Sequence, residues 1–388
     1  MYVIHLGVSG YPGNSASMQR IRLTFKGLKL FGFNILILNK HSINITGNHR
    51  IQRFDGIPFV FTSLKIKRPA NFIIRRINKL SGNIGETILL IKKRKKIHTA
   101  ILYTPSFVEL IYYRIISKLL GFKMILQYVE LRSSLSERNN FFNRISDRLF
   151  DSNFHLFCDG VIAISDFLIQ HIKTKSEKLQ VLKIPAMCDF EEFNFIQPYV
   201  AEPYLMFCGS IIYSEVIEFI LDLFIKIKSS SLYEGNLLLI ISGEDLSNWD
   251  KINKKINSSN FKKNILIKSN IAYSELLSMY KGADILLIPL RNTIQDRARF
   301  PHKIGEYSAS KRPILSTNLG EPKIYFKDSI SAILADTYSL KSYLEKLSDL
   351  LLSKERLDKI GMEGYDIGLQ NFDHTSQAAL LKKFILGL

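Results

Sequence analysis

Cysteine is scarce in this chain: 388 residues hold three, Cys158, Cys188 and Cys208. None sits at the spacing of a metal knuckle or a redox pair, which argues against a cysteine-built zinc site and fits a reducing cytoplasm. Long apolar runs are missing too. The nearest, "LIYYRIISKLLGFKMILQYV", is broken by Arg114, Lys118 and Lys123, so nothing reaches the roughly 18 to 20 residues that span a bilayer. The opening "MYVIHLGVSGYPG" has neither a basic leader nor a cleavage site, and reads as a first strand rather than a signal peptide.

Acidic charge is lacking in one half only. Up to residue 200 there are 29 Lys+Arg against 13 Asp+Glu, a balance of +16; the remainder holds 24 against 22, a balance of +2. The densest basic run is "IKKRKKIH" (91–98), with "LKIKRP" and "IIRRINK" upstream. A general bias towards lysine would spread over both halves, so the asymmetry points to an anionic partner for the first: lipid head groups, a lipid-linked phosphate or nucleic acid. No zinc knuckle or aromatic ribonucleoprotein motif accompanies it, which sets nucleic acid aside. An anionic membrane surface is the favoured partner, with Phe72, Ile73 and Ile74 among the basic residues placed to enter head groups. The expected location is cytoplasmic, peripheral to the inner face of the membrane.

What is present is the make-up of a globular protein, 46% apolar and 23% charged, in a chain long enough for two domains. Short β-rich runs ("YVIHLGV", "FNILILN", "IHTAILY", "KMILQYV", "GVIAIS") alternate with amphipathic helical patterns. In "SMQRIRLTFKGLKLFG", Ile21, Phe25, Leu28 and Phe31 form one stripe, closed by Gly32. This rhythm predicts an α/β fold with parallel sheets covered on both faces. Near residue 198 two prolines and several acids interrupt it, and "YLMFCGS" begins again. The expected organisation is two Rossmann-like domains, 1–198 and 199–365, and a closing helix over 366–388. Ligands in such domains sit at the carboxyl ends of the strands, here on facing walls of a cleft.

Three segments follow strands and open helices. "GYPGNSASMQR" offers Gly10, Gly13 and Asn14, with Ser15 and Ser17 as capping residues; it suits an anion or a sugar hydroxyl, or is an ordinary turn. "FCGSIIYSEV" places Gly209 and Ser210 at the equivalent point of the second half. In "IISGED", Gly243 and Glu244 read as capping residues. The densest chemistry lies in "RFPHKIGEYSASKRPILSTNLGE", residues 299–321. After the strand "DILLIPL" and a polar, flexible loop, "FPHKIGEYSASK" is expected to form a helix with Pro301 in its first turn. Arg299, Lys303 and the helix start then offer positive charge to a diphosphate, and Glu306 a carboxylate for two ribose hydroxyls. The plainer alternative is a Lys303–Glu306 surface pair.

This stretch resembles the donor-binding motif of retaining glycosyltransferases of the GT-B fold, family 4, as found in bacterial enzymes that build surface polysaccharides. "GYPGNSASMQRI", "DGVIAIS", "VLKIPAMCDFEEF", "YLMFCGSI", "IAYSELLSMYKGADILLIPL" and "NFDHTSQA" match that family in place and order. The resemblance implies a sugar moved from a UDP- or GDP-linked donor to a lipid-linked saccharide, without a cofactor. It implies that Glu306 holds the donor ribose, that Leu319, Gly320 and Glu321 lie near the sugar and diphosphate, and that Asn270 and Ile271 lie near the base. Gly13, Asn14, Ser15 and Tyr128 would lie on the acceptor side. Glu130 stands near where the family often carries His-Asp, as a contact to the transferred sugar or as a helix cap. Glu130, Lys303 and Glu306 are the expected catalytic set.

The chain departs from the family in two places. Ala298 replaces the first of two glutamates eight positions apart, and Ser210 and Glu215 stand where an Arg and a Lys usually grip the diphosphate. No Asp-x-Asp motif is present, so no metal is expected. Two other readings stay open: a non-catalytic GT-B scaffold, and a sugar-nucleotide epimerase.

Overall fold

The protein is described by a computed structural model over residues 1–8, 10–13, 15–42, 49–135, 138 and 140–388. It forms two compact units, the first made of Met1–Met187, Ala298–Phe300 and His374–Leu388, the second of Cys188–Arg297 and Pro301–Asp373.

The first unit begins β1 (Tyr2–Val8), α1 (Ala16–Leu30), β2 (Asn34–Asn39), β3 (Ile51–Phe54), β4 (Ile57–Phe61) and α2 (Phe72–Lys93). It continues β5 (Ile97–Leu102), α3 (Phe107–Leu120), β6 (Lys123–Tyr128), α4 (Phe141–Asn153), β7 (Gly160–Ala163), α5 (Asp166–Lys175) and β8 (Gln180–Lys183). The strands lie in the order β3-β4-β2-β1-β5-β6-β7-β8. All neighbours pair parallel except β3 and β4, an antiparallel hairpin turned by Asp55 and Gly56, both at positive φ. Val3, Ile37, Phe59, Ile101, Ile125 and Ile162 pack its core.

The second unit runs α6 (Phe190–Asn194), β9 (Tyr204–Ser210), α7 (Ser214–Ser229), β10 (Asn236–Ser242), α8 (Leu246–Asn257), β11 (Ile265–Lys268) and α9 (Tyr273–Gly282). After these come β12 (Ile285–Ile288), α10 (Ile294–Ala298), α11 (Lys303–Ala309), β13 (Ile314–Thr317), α12 (Gly320–Tyr325), β14 (Ile333–Ala335), α13 (Leu340–Ser348) and α14 (Lys354–Phe372). Its sheet is wholly parallel, in the order β11-β10-β9-β12-β13-β14. Ile217, Ile220, Leu221 and Phe224 of α7 pack onto Phe207, Leu239 and Leu287 of the strands. The last helix, α15 (His374–Gly387), belongs to the first unit and lies along α1, with Leu381 and Ile385 in that unit's core. Two α/β sheets, parallel but for the β3–β4 hairpin, thus follow the alternating pattern.

In each sheet the strand order reverses beside the unit's first strand, between β1 and β5 and between β9 and β12. Loops leaving those strands diverge, and the crevice they leave is where open α/β sheets bind ligands. No helix among the described residues is long and apolar enough to cross a membrane.

Candidate active site

At the reversal point of the second unit, β9 ends in Gly209 and Ser210. The Ser210 hydroxyl accepts from Ile212 N at 3.4 Å and caps a short 3₁₀ turn, and Ser242 Oγ donates to Gly209 O at 3.4 Å. On the other side of the reversal, the exit of β12 is folded back on itself. Asp296, fully buried, accepts from Arg291 N at 2.8 Å and from the Arg291 guanidinium at 3.0 and 3.3 Å. The segment expected to be a flexible loop is therefore a clamped turn leading into α10. Arg291 also pairs with Glu215 at 3.3 Å, so the acidic residue at the usual cation position is neutralised from the neighbouring strand's exit.

Helix α11 starts at Lys303, with His302 as its N-cap; Pro301 precedes the cap instead of lying in the first turn. Glu306 is not part of a surface pair. It is 4% exposed, and its Oε1 accepts from the Tyr273 hydroxyl at 2.9 Å, with His302 Nε2 at 4.0 Å. Tyr273 opens α9, just beyond Asn270 and Ile271 at the exit of β11, and burial followed by the Glu306 charge pushes its hydroxyl well above the usual tyrosine range. Lys303 lies near enough to Cys208, beside Gly209, to pull that thiol down against the upward push of burial. The structure therefore gathers Lys303, Glu306, Tyr273 and the end of β9. Tyr273 escapes a reading of the sequence because its partner lies 33 positions away on another helix.

Leu319 caps α12 without a side-chain bond; Gly320 has φ +59, which favours glycine, and passes close to the Arg297 backbone of α10. Glu321 follows in the first turn, 1% exposed. Thr317 ties this exit to that of β12 by accepting from Leu290 N at 3.0 Å and donating to Leu290 O at 2.7 Å. Asn270, at φ 54, is exposed and Ile271 half-buried. Arg299 falls in the segment that groups with the first unit, whereas Lys303 belongs to the second. The cap of α8 is Asp245, which accepts from Asn248 N at 3.0 Å; the role expected of Glu244 belongs to its neighbour.

In the first unit, Gly10 N and Tyr11 N both donate to the buried Asn39 Oδ1, at 3.2 and 3.3 Å, which holds the loop after β1 to the end of β2. Gly13 follows, where an added Cβ would lie 3.0 Å from Gly10 O. Ser15 caps α1 by accepting from Met18 N at 3.4 Å, and Ser17 bonds to Ser15. Asn14 lies outside the described residues. Tyr128, expected on the acceptor side, is buried: it stacks on Phe154 at 4.8 Å and donates its hydroxyl to Asp151 at 2.8 Å. Glu130 is half-buried, and the N-cap position of the 3₁₀ turn that follows falls on Leu131. Asp151 accepts from the first amides of that turn, Arg132 N at 3.3 Å and Ser133 N at 2.7 Å. Glu130, Arg132 and Arg20 all lie near enough to Tyr103 to act on its hydroxyl, which is pushed up to about 12 by burial and then by Glu130. His5 is a packed histidine, fully buried and lowered to about 4 by desolvation.

Residues 189–366 match the family model described as glycosyl transferases group 1. No curated protein sequence matches the chain. Among solved structures, sucrose-phosphate synthase from Thermosynechococcus elongatus superposes with a TM-score of 0.75 at 12% identity, covering 100% of this chain and 98% of that one. A glycosyltransferase from Rickettsia africae gives 0.71 at 12%, covering 99% and 97%. HepE of Anabaena in complex with UDP-glucose gives 0.69 at 12%, covering 100% of both. The chain therefore has the GT-B fold, and its residues 189–366 match the model of the group 1 glycosyl transferases.

Proposed function

We propose that this protein is a retaining glycosyltransferase of family 4. It moves a sugar from a UDP- or GDP-linked donor to a saccharide carried on a polyprenyl diphosphate, in the synthesis of a bacterial surface polysaccharide. The observation that carries the reading is the gathering of Lys303, Glu306 and Tyr273 beside the end of β9, at the reversal point of a sheet whose sequence matches group 1 glycosyl transferases. The structures of HepE with UDP and with UDP-glucose, on the same fold, support a nucleotide sugar as the donor.

The chemistry is a substitution at the anomeric carbon. The bond from that carbon to the diphosphate oxygen breaks, and a bond to the acceptor hydroxyl forms on the same face of the ring. The hydroxyl proton passes to the departing diphosphate, so no separate protein base is required. Lys303 stabilises the charge that develops on the leaving group. Glu306, held by Tyr273, accepts the ribose hydroxyls, and the Leu319–Gly320 backbone with Glu321 receives the sugar and diphosphate. Arg299 is a further candidate for the diphosphate, and Asn270 and Ile271 for the base. On the acceptor side, Gly13, Ser15 and Glu130 contact the incoming saccharide. Incubation of the pure protein with single nucleotide sugars and a membrane lipid extract should give a one-sugar mass gain on a lipid.

A second reading, a non-catalytic scaffold, is favoured by one observation. The residues at the usual diphosphate grip are a capping serine and a glutamate already paired with Arg291. A scaffold would leave every donor unconsumed in that assay.

A further inference from the structure

Helix α2 is built inside out. Its buried line is Asn78, Gly82, Glu86 and Leu90, one residue per turn and mostly polar or small. The opposite line is Ile73, Ile77, Leu80, Ile84, Ile88 and Ile91, all between 45% and 66% exposed. At about 100° per residue these six fall within a stripe about 80° wide, directly opposite the buried line, and extend over about 27 Å of helix. An amphipathic helix on a soluble domain turns such a stripe towards its core. Here two glycines fix the other orientation. An added Cβ at Gly82 would lie 1.9 Å from Lys40 O, and one at Gly85 2.1 Å from Thr62 O, so α2 rests backbone-first on the ends of β2 and β4.

The charge around the stripe selects its partner. Residues 65–96 contain eleven Lys and Arg and one carboxylate, Glu86, which is buried and accepts from the Tyr113 hydroxyl at 2.7 Å. Two copies of this face would bring their cations together, which opposes self-association. An anionic surface that also accepts apolar side chains satisfies both features at once. Helix α4 repeats the pattern on the same side of the sheet: Phe141, Phe142, Ile145 and Leu149 are exposed, with Arg144 and Arg148 alongside. Successive crossovers from β4 to β7 advance in one direction across the sheet, which places α2, α3 and α4 on one face.

We propose that α2 lies flat in the interface of an anionic bilayer, its isoleucine–leucine stripe among the acyl chains and its cations at head-group level, with α4 as a second contact. This gives the lipid-linked acceptor of the preceding reading a physical means of approach, but it stands on α2 alone. Binding of the full chain to vesicles, without donor or acceptor, tests it apart from transfer. Vesicles of phosphatidylcholine with phosphatidylglycerol should bind the protein at least about tenfold more tightly than phosphatidylcholine alone. The double change Leu80→Glu, Ile84→Glu should lower that binding by at least about tenfold with an unchanged melting temperature, since both positions are exposed. Leu30→Glu, at an exposed position on α1, should leave it unchanged. A tryptophan introduced by Ile84→Trp should shift its emission to the blue on anionic vesicles. Equal binding by the double variant, no preference for anionic lipid, or a dimer that the double change dissolves would each overturn the proposal.

Discussion

The Tyr273 hydroxyl donates to Glu306 across 2.9 Å, joining the first turn of α9 to the first turn of α11. This bond helps to orient a recessed carboxylate beside the reversal point of the second sheet. On the reading proposed for the site, Tyr273 is a positioning residue and Glu306 a contact to the donor.

Glu306→Ala should abolish transfer while the protein stays folded. Tyr273→Phe should leave the carboxylate in place but loosen its aim, weakening donor binding by about tenfold, the worth of one hydrogen bond to a charged group. A purely structural tyrosine would lower the melting temperature and leave the donor KM unchanged. Steady-state kinetics against donor concentration, beside thermal melts, separate the two.

Asp296→Ala should be costly. It removes the buried partner of the Arg291 guanidinium and backbone amide, leaving the exposed Glu215 to meet the cation and the amide unpaired by that carboxylate, and such losses are about 3 kcal/mol. Chemical denaturation should show the loss as a lower midpoint at unchanged slope.

The legibility of this chain is uneven for physical reasons. Strand and helix order follow from apolar periodicity, and the charged residues of 299–321 draw the eye to the site proposed for the second unit. The Asp55–Gly56 hairpin is written in "FDGIPF", but β3 is short and mostly exposed and β4, "IPFVF", has no polar residue to alternate with its buried ones. The segment 291–298 looks like loose polar text because the Arg291–Asp296 closure depends on burial, which sequence does not display. Tyr128 is drawn to the acceptor side by its place in a motif, yet Asp151, 23 positions away, holds it in the core. Periodicity reveals a stripe on α2 but not its direction, which Gly82 and Gly85 decide.

Glu86 should make stability fall as pH rises. Burial raises its carboxyl from 4.5 to about 7, against the opposing pull of Lys40 and Tyr113. The folded state prefers the protonated form, so this contribution is fully present below about 4.5, is lost as pH rises through about 7, and is flat above. The total is on the order of 3 kcal/mol. Glu86→Gln should therefore melt higher than the parent at pH 8 and close to it at pH 4. An unchanged difference across that range would show that the carboxyl titrates as an exposed one does.

The central claim is that the second unit binds a nucleotide sugar at Lys303 and Glu306. Calorimetric titration of the full chain with UDP, GDP and their glucose conjugates tests it most directly. The account predicts saturable binding of at least one of them, weakened at least about tenfold by Lys303→Ala and by Glu306→Ala in proteins that melt as the parent does. No binding of any nucleotide, or binding that both substitutions leave intact, would contradict it.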